Sequence, residues 1–236
     1  MTATSLITPA TGSRRGRPPL PRQAIVYPES DGQPMADNTR QFEYIVMIQG
    51  GLAALFADRP DVFVAGDLLW YPVEGQPHIR AAPDAMVVFG RPPGHRGSYL
   101  QHEEDHIAPQ VVFEVLSPGN TPAEMRKKRG FYDRYGVEEY YEYDPDRGTL
   151  KGWRRRDGRL EPIDRMEGWV SPLLGIQFSL EGTDLALYHP DGQRFETFVE
   201  QARRVKAERQ RAEVAQQRAE RLAERLRQLG MDPDAL

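Results

Sequence analysis

Apolar positions along the chain follow two periods, one helical and one typical of strands. Residues 41–58 carry apolar side chains at helical spacing, which predicts an amphipathic helix. Later apolar runs rich in β-branched and aromatic residues predict strands, which cover residues 61–73, 85–89 and 110–116. A second helix is expected over about 122–135, because Thr121, Pro122 and Glu124 have the spacing of a capping box with proline at the first helical position.

The order of these elements predicts the topology. The strand at 110–116, the helix after it and a strand at 138–144 have the length of a βαβ unit. The run 111–116 is apolar except at Glu114, which is typical of a central strand that is buried on both faces. Further short strands are expected at TLKGWRR, LGIQFSL and LALYH. We therefore predict an α/β (α+β) domain with a mixed sheet over residues 41–192.

The two ends of the chain differ from this domain. Residues 1–40 are rich in Pro, Gly, Ser and Thr and basic in part, which predicts a largely flexible arm. Residues 193–230 contain neither Gly nor Pro before Gly230, and apolar or small residues recur there in steps of three and four. This pattern predicts a long helix and a candidate coiled coil, followed by a tail at 231–236. The helix could pair with another copy, fold back or contact phosphates; pairing is favoured, so we expect a homodimer.

Composition and charge exclude several classes of protein. The 236 residues include no Cys, so disulfides, thiol nucleophiles and cysteine-based zinc sites are excluded. No apolar run approaches the ~18 residues of a membrane helix, and no signal sequence is evident, so we expect a cytoplasmic protein. The net charge of −4 combines +4 in residues 200–229 with −8 elsewhere. A basic helix on an acidic body is compatible with DNA as a partner.

Three charged residues indicate a candidate site. Glu114 lies within the buried strand, where an isolated carboxylate costs several kcal/mol unless it is paired or binds a metal. Asp84 opens the neighbouring strand, and Lys128 lies on the helix that follows Glu114. Two carboxylates suit Mg²⁺, which activates water and neutralises charge on a phosphodiester, while a lysine can orient that water. A buried structural ion pair between Glu114 and Lys128 remains open as the alternative.

Other motifs are weaker. Arg15 and Arg17, within RGRP, resemble the core of an AT-hook, which binds the DNA minor groove. His102 and His106 have the spacing of two ligands on a helix, although their polar surroundings favour a surface loop. Ser117 is interpreted as part of a turn. The tyrosines near 140 are interpreted as core packing.

Longer strings carry a family resemblance. The strings are APD (82–84), VVFEVLSPGNTPAEM (111–125), FYDRYGVEEYYEYDPD (131–146) and GWVSPLLGIQFSL (168–180). They resemble the Uma-two family of endonucleases, a bacterial branch of the PD-(D/E)XK nuclease superfamily, over roughly residues 30–230. The resemblance implies a restriction-endonuclease-like core and a metal-dependent enzyme that hydrolyses DNA phosphodiester bonds, with Mg²⁺ as cofactor and Mn²⁺ as a substitute.

The resemblance also implies roles for individual residues. Asp84 and Glu114 match the two acidic motifs and would hold the metal, with the backbone carbonyl of Val115 as a further candidate ligand. Lys128 takes the role of the superfamily's usual lysine, whose position is occupied here by Leu116. Glu43 is the local candidate for an additional carboxylate from the first helix.

Departures from the family pattern leave two other functions open. Members often carry Glu and His near the start of the first helix, where this chain has Ala36 and Gln41. This difference favours a catalytically silent DNA-binding or assembly protein that retains the nuclease fold. A third hypothesis is a coiled-coil scaffold whose globular domain is only structural. The intact set of Asp84, Glu114 and Lys128 favours the enzyme.

Overall fold

A six-stranded mixed sheet forms the centre of the structure, a computed structural model that describes residues 25–32 and 34–229. In chain order the elements are α1 (Thr39–Leu55), β1 (Val62–Ala65), β2 (Trp70–Tyr71), β3 (Ala85–Phe89), β4 (Tyr99–Leu100), a 3₁₀ turn (Gln101–Glu103), β5 (Val111–Val115), α2 (Pro122–Arg134), β6 (Glu139–Asp144), β7 (Thr149–Arg156), β8 (Arg159–Pro162), β9 (Gln177–Glu181), β10 (Asp184–Tyr188) and α3 (Phe198–Gln228). The order across the sheet is β1-β3-β5-β6-β7-β8.

The predicted βαβ unit is present. Strands β5 and β6 are parallel, and the other neighbouring pairs of the sheet are antiparallel. Helix α2 connects them and begins at a capping box, in which the Thr121 side chain accepts from the Glu124 backbone and the Glu124 side chain accepts from the Thr121 backbone. The mixed α/β class with a long C-terminal helix is confirmed.

The sheet is covered on both faces, so β5 is buried along its whole length. On one face α1 and the β9–β10 hairpin pack against the sheet, with Ile48, Leu52 and Phe178 in the core. On the other face Trp70 and Tyr132 fill a second core. Fully burying one large apolar side chain contributes roughly 1.5–3 kcal/mol, so these two cores hold β5 firmly between them. Tyr140, Tyr141 and Tyr143 are also buried, as their interpretation as packing residues requires.

The segment predicted as one strand over 61–73 is two strands. Asp67 adopts a left-handed backbone conformation, with φ of 48°, and interrupts the extended chain between β1 and β2. Non-glycine residues seldom adopt this conformation, and the pattern of hydrophobic residues does not indicate it, so the bend was not predicted.

The end of the predicted arm contacts the domain. Tyr71 donates a hydrogen bond from its hydroxyl to the Pro28 carbonyl at 2.6 Å, and the Tyr27 ring packs edge-on against Tyr71. Helix α1 begins two residues earlier than predicted, because the Asn38 side chain caps it. Thus the chain from residue 25 onward contacts the domain. The predicted DNA contacts Arg15 and Arg17 lie outside the described residues.

The folded body extends slightly beyond residue 192. Phe195 is buried against Gly51 of α1, where a Cβ atom would overlap the ring, so glycine is required at that helical position. Helix α3 then begins at its own capping box, formed by Thr197 and Glu200, and has no buried residue. Its pairing into a coiled coil stays a prediction. None of the helices within 25–32 and 34–229 is long and apolar enough to span a bilayer.

Candidate active site

A cleft of about 460 Å³ opens beside the start of β3 and the end of β5. Its charged lining comprises six carboxylates and three basic side chains, which are Asp31, Asp37, Asp67, Asp84, Glu114, Glu124, Arg80, Lys127 and Lys128. The cleft therefore carries a local excess of negative charge. Such a surface repels phosphate and attracts cations.

The register of β3 and β5 explains why Asp84 and Glu114 meet. These strands are antiparallel, and Ala85 lies opposite Phe113. One step further along, Asp84 lies beside Glu114, and opposed residues of an antiparallel pair project from the same face. That face is the one covered by α2. Two carboxylates far apart in sequence are thus neighbours because of strand pairing.

Both oxygens of Glu114 have hydrogen-bond donors from α2. The side chain is only 3% exposed, Lys128 Nζ lies 2.8 Å from Oε2, and the Tyr132 hydroxyl donates to Oε1. Lys128 and Tyr132 are four residues apart, so they lie on one face of the helix. The anchoring of α2 by its capping box and by buried Met125 therefore fixes both donors over the strand.

The pKa values of Asp84 and Lys128 are both raised, for different physical reasons. Burial and the neighbouring Glu114 charge raise the pKa of Asp84 well above its usual value. Burial alone would lower the pKa of Lys128, but Glu114 and Asp84 outweigh that effect and raise it. Lys128 is therefore firmly protonated at neutral pH, while Asp84 resists ionisation until a cation compensates its charge.

A chain of hydrogen bonds links Asp84 to α1. Asp84 Oδ2 accepts from the Val115 backbone N–H at 2.6 Å, and the Val115 carbonyl accepts from Gln41 Nε2 at 2.7 Å. Gln41 Oε1 in turn accepts from the Asp37 backbone N–H at 2.8 Å. Gln41 is buried, so its amide is held in place on both sides. The Val115 carbonyl, a predicted metal ligand, therefore already accepts one hydrogen bond.

The donor chemistry of the cleft fits a hard divalent cation. No hydrogen bond from the described residues reaches Asp84 Oδ1, and a carboxylate or carbonyl oxygen can accept a second partner besides its hydrogen bond. Within the described residues no group of three or more Asp, Glu, His or Cys side chains is arranged around a metal position. Asp84 and Glu114 would therefore hold an ion that keeps several water ligands, as Mg²⁺ does.

A family profile covers most of this cleft and its scaffold. The profile of the family Uma2, described as "Putative restriction endonuclease", matches residues 33–187. The chain belongs to the Uma2 family. This membership agrees with the family and the restriction-endonuclease-like class that the sequence predicted.

Comparisons with individual proteins add little to the family assignment. No curated protein matches the chain. Among solved structures the chain is similar to a crystal structure from Anabaena variabilis, described as "a putative nuclease belonging to DUF820", with 16% identity. The match covers 57% of this chain and 72% of that chain, with a TM-score of 0.42.

Sequence reasoning about this Uma2 member missed several residues of the cleft. Asp67 lines it from the bend between β1 and β2, and burial together with Asp31 raises its pKa. Asp37 reaches it from the turn before α1, and Gln41, which the sequence marked only as a departure from the family pattern, reaches it from the first turn of α1. Tyr132 could have been found from its spacing to Lys128, whereas the others depend on tertiary contacts that local pattern does not encode.

The structure places the remaining candidates away from the cleft. Glu43 is exposed and does not line the cleft, because two residues after Gln41 it projects from the opposite side of α1. Its assignment as a metal ligand stays a prediction that this placement does not support. His102 lies in the 3₁₀ turn and His106 in a left-handed loop conformation, so they share no helix face. Ser117 lies in a turn and donates to Asp37.

Proposed function

We propose that this protein is a divalent-metal-dependent endonuclease that hydrolyses DNA phosphodiester bonds in the cleft at the end of β5. Mg²⁺ is the expected cofactor, and Mn²⁺ is expected to substitute for it. The observation that carries the proposal is the placement of a second carboxylate, Asp84, beside the Glu114–Lys128 pair. A structural ion pair needs no such neighbour, whereas a cation site does.

Each residue has a distinct task in this proposal. Asp84 and Glu114 would hold the ion, with the free lone pair of the Val115 carbonyl as a further contact. A bound divalent cation would lower the pKa of a coordinated water and neutralise charge that develops on the phosphate. Lys128 stays protonated and would orient the attacking water or donate to the phosphate oxygens. Tyr132 and α2 hold Glu114 in place.

A second buried glutamate serves as an internal comparison. Glu142 is 6% exposed, with Lys151 Nζ at 3.3 Å and the Tyr140 hydroxyl at 3.2 Å. It therefore repeats the Glu–Lys–Tyr arrangement of Glu114, but it lines a different cavity that lacks Asp84. If the ion pair alone explained the site, the two arrangements would be equivalent.

Plasmid cleavage tests the proposal with this comparison built in. Purified protein is incubated with supercoiled plasmid and MgCl₂ or MnCl₂, beside Asp84→Asn and Lys128→Met. Asp84→Asn keeps an acceptor for the Val115 N–H and breaks no ion pair, so it should fold normally. We expect both variants to lower the nicking rate by about 100-fold or more, the scale of removing one electrostatic contact to a transition state.

The matched control is Lys151→Met, which removes a lysine from the second arrangement and should leave the nicking rate unchanged. Because an unpaired buried carboxylate costs roughly 3–5 kcal/mol, circular dichroism must show that Lys128→Met is folded before its rate is interpreted. Cleavage that survives in Asp84→Asn, or that needs no divalent ion, would contradict the proposal.

A catalytically silent DNA-binding protein is the second candidate, and the Gln41 amide favours it. Gln41 Nε2 occupies one lone pair of the Val115 carbonyl, which weakens that carbonyl as a ligand. Under this hypothesis the wild-type protein binds duplex DNA but leaves plasmid intact in every divalent ion. Titration of the protein with Mn²⁺ also distinguishes the two candidates, since only the enzyme requires metal binding that depends on Asp84.

A further inference from the structure

Helix α3 extends from the folded body as an exposed basic arm. None of its residues from Phe198 to Gln228 is buried, and it begins just after Phe195, the last residue of the core. Residues 200–229 carry a net charge of +4, in contrast to the −8 of the remaining chain. The distribution of these charges around the helix therefore determines which kind of partner α3 can bind.

The arginines are concentrated on one face of α3. We use the name arginine strip for a row with alternating steps of three and four residues, which consists of Arg204, Ala207, Arg211, Val214, Arg218, Arg221 and Arg225. Steps of three and four place these residues on a single face. The row has five arginines, small or β-branched residues between them, and no acidic residue. Four of the five acidic residues of α3 lie on other faces; the fifth, Glu200, is one turn before Arg204 and belongs to the capping box with Thr197.

The middle of the arginine strip is free of internal ion pairs. Arg204 contacts Glu196 and Glu208, and Arg225 contacts Gln228. By contrast, Arg211, Arg218 and Arg221 have no hydrogen-bond or salt-bridge partner among the described residues. Three guanidinium groups are thus available to an external anion, and each can donate to phosphate in a bidentate manner.

The charge pattern argues against a second copy of α3 as the partner. In the heptad frame of the apolar seam, the strip arginines 204, 211, 218 and 225 occupy the g positions. The e positions are Ala202, Arg209, Gln216 and Ala223. Neither flanking position carries an acid, so paired helices would gain no interhelical salt bridge and would place arginines close together. The seam would also bury Glu208, at a further cost.

Duplex DNA is the partner whose charge and dimensions complement the strip. From Arg204 to Arg225 the helix rises by about 31 Å, close to the ~34 Å of one duplex turn. Guanidinium groups that replace condensed counterions on phosphates provide sequence-independent affinity. The acidic cleft cannot supply this attraction itself, because its carboxylates repel phosphate when no cation is bound.

We propose that the arginine strip of α3 is a sequence-independent binding surface for the phosphate backbone of duplex DNA. This inference rests on the proposed function in taking DNA as the shared partner, but it concerns affinity and not cleavage. The strip holds DNA close to the body, while the cleft performs the reaction.

The test is the salt dependence of DNA binding by the full chain. Fluorescence anisotropy with a labelled duplex is measured in EDTA, in the Asp84→Asn background, so that no cleavage interferes. The strip variant is Arg211→Gln, Arg218→Gln and Arg221→Gln. We expect about tenfold or greater loss of affinity at moderate salt and a log–log salt slope that is smaller by roughly 2–3, because each phosphate contact contributes about 0.9.

The control variant removes the same charge from other faces of α3, as Lys206→Gln, Arg209→Gln and Arg227→Gln, and should bind almost as the Asp84→Asn parent does. Equal losses in both variants would overturn the proposal, since charge and not placement would then decide affinity.

A strip variant that binds DNA normally but no longer sediments as a dimer would assign the strip to a second copy. Lost binding to phosphatidylserine vesicles with unchanged DNA affinity would assign it to membranes. The strip variant that retains Asp84 is also tested for plasmid cleavage at high protein concentration. If it cleaves, the enzyme hypothesis stands even where the proposal for the arginine strip fails.

Discussion

At the scale of single residues, three glutamates buried in neighbouring strands show how surroundings separate function from packing. Glu139 accepts from the Ser171 and Tyr141 hydroxyls, so its charge is stabilised by neutral donors. Glu142 pairs with a lysine and a tyrosine. Glu114 has the same two kinds of donor and a second carboxylate, Asp84, whose pKa it raises. Placing two carboxylates together costs folding free energy, so packing alone does not explain why Asp84 lies beside Glu114.

Replacing Asp84 with Asn should stabilise the protein, and increasingly so as the pH rises. The folded-state pKa of Asp84 lies above its usual value of 3.8, so its contribution is fully present below that value and is lost as the pH rises through the folded pKa. Asp84→Asn removes this loss. Urea denaturation in EDTA should show its advantage over wild type growing from about pH 4 upward, by at most about 1.4 kcal/mol per pH unit, and then levelling off.

The control for this prediction has the opposite sign. Arg59 donates to Asp61 at the surface and lowers its pKa, so Asp61 contributes stability above its usual pKa and loses it as the pH falls. Asp61→Asn should therefore lose stability relative to wild type as the pH rises toward the usual pKa of 3.8, and the difference should stay constant above it, where that of Asp84→Asn grows. A stability difference for Asp84→Asn that is independent of pH would show that Asp84 titrates normally.

Sequence reasoning could find Asp84, Glu114 and Lys128 because each stands out locally. A charge within an apolar strand is visible in the sequence, and the family motifs point to the other two. The family pattern marked Gln41 only as a departure and did not show its contact with Val115, and Asp67 could not be found in this way. Gln41 contacts Val115 across 74 positions of the chain, and Asp67 reaches the cleft through a backbone bend. Their roles arise from tertiary structure.

At the scale of elements, two helices begin with the same capping box but have different surroundings. Thr121 caps α2, which is packed against the sheet, and Thr197 caps α3, which has no buried residue. Capping energy affects global stability only if the helix unfolds together with the core. The two threonines therefore form a matched pair within one chain.

Thr121→Ala should lower the free energy of unfolding by about 0.5–2 kcal/mol, whereas Thr197→Ala should leave it nearly unchanged. The second substitution should instead increase hydrogen exchange in the first turn of α3. Denaturation followed by tyrosine and tryptophan fluorescence measures the first effect, and exchange followed by mass spectrometry measures the second. Equal losses of global stability would mean that α3 unfolds with the core, contrary to its exposed position.

Sequence patterns predicted these elements well where a local signal exists. The capping box predicted the start of α2, and the apolar runs predicted β3 and β5 within a residue or so. The error over 61–73 arose because Asp67 adopts a left-handed conformation that only the surrounding structure imposes. Likewise, the polar composition of residues 25–40 concealed contacts such as that of Tyr71 with Pro28.

At the scale of the whole molecule, charge is divided between an acidic body and a basic helix. The overall value of −4 conceals +4 on residues 200–229 and −8 over the rest of the chain. Part of the body's charge is concentrated in the cleft, where six carboxylates face three basic groups. The folded state thus carries a local electrostatic cost that a bound cation would relieve, which links ligand binding to global stability.

Millimolar MgCl₂ should therefore raise the free energy of unfolding of the wild-type protein. A ligand that binds only the folded state stabilises it by about 2.7 kcal/mol when its concentration is about one hundred times its dissociation constant. Asp84→Asn, which lacks one of the two proposed ligands, should gain little. NaCl at matched ionic strength controls for general screening, which cannot depend on one cleft residue. Equal stabilisation of wild type and Asp84→Asn by MgCl₂ would mean that the ion acts elsewhere on the acidic body, and the cleft would then not be its site.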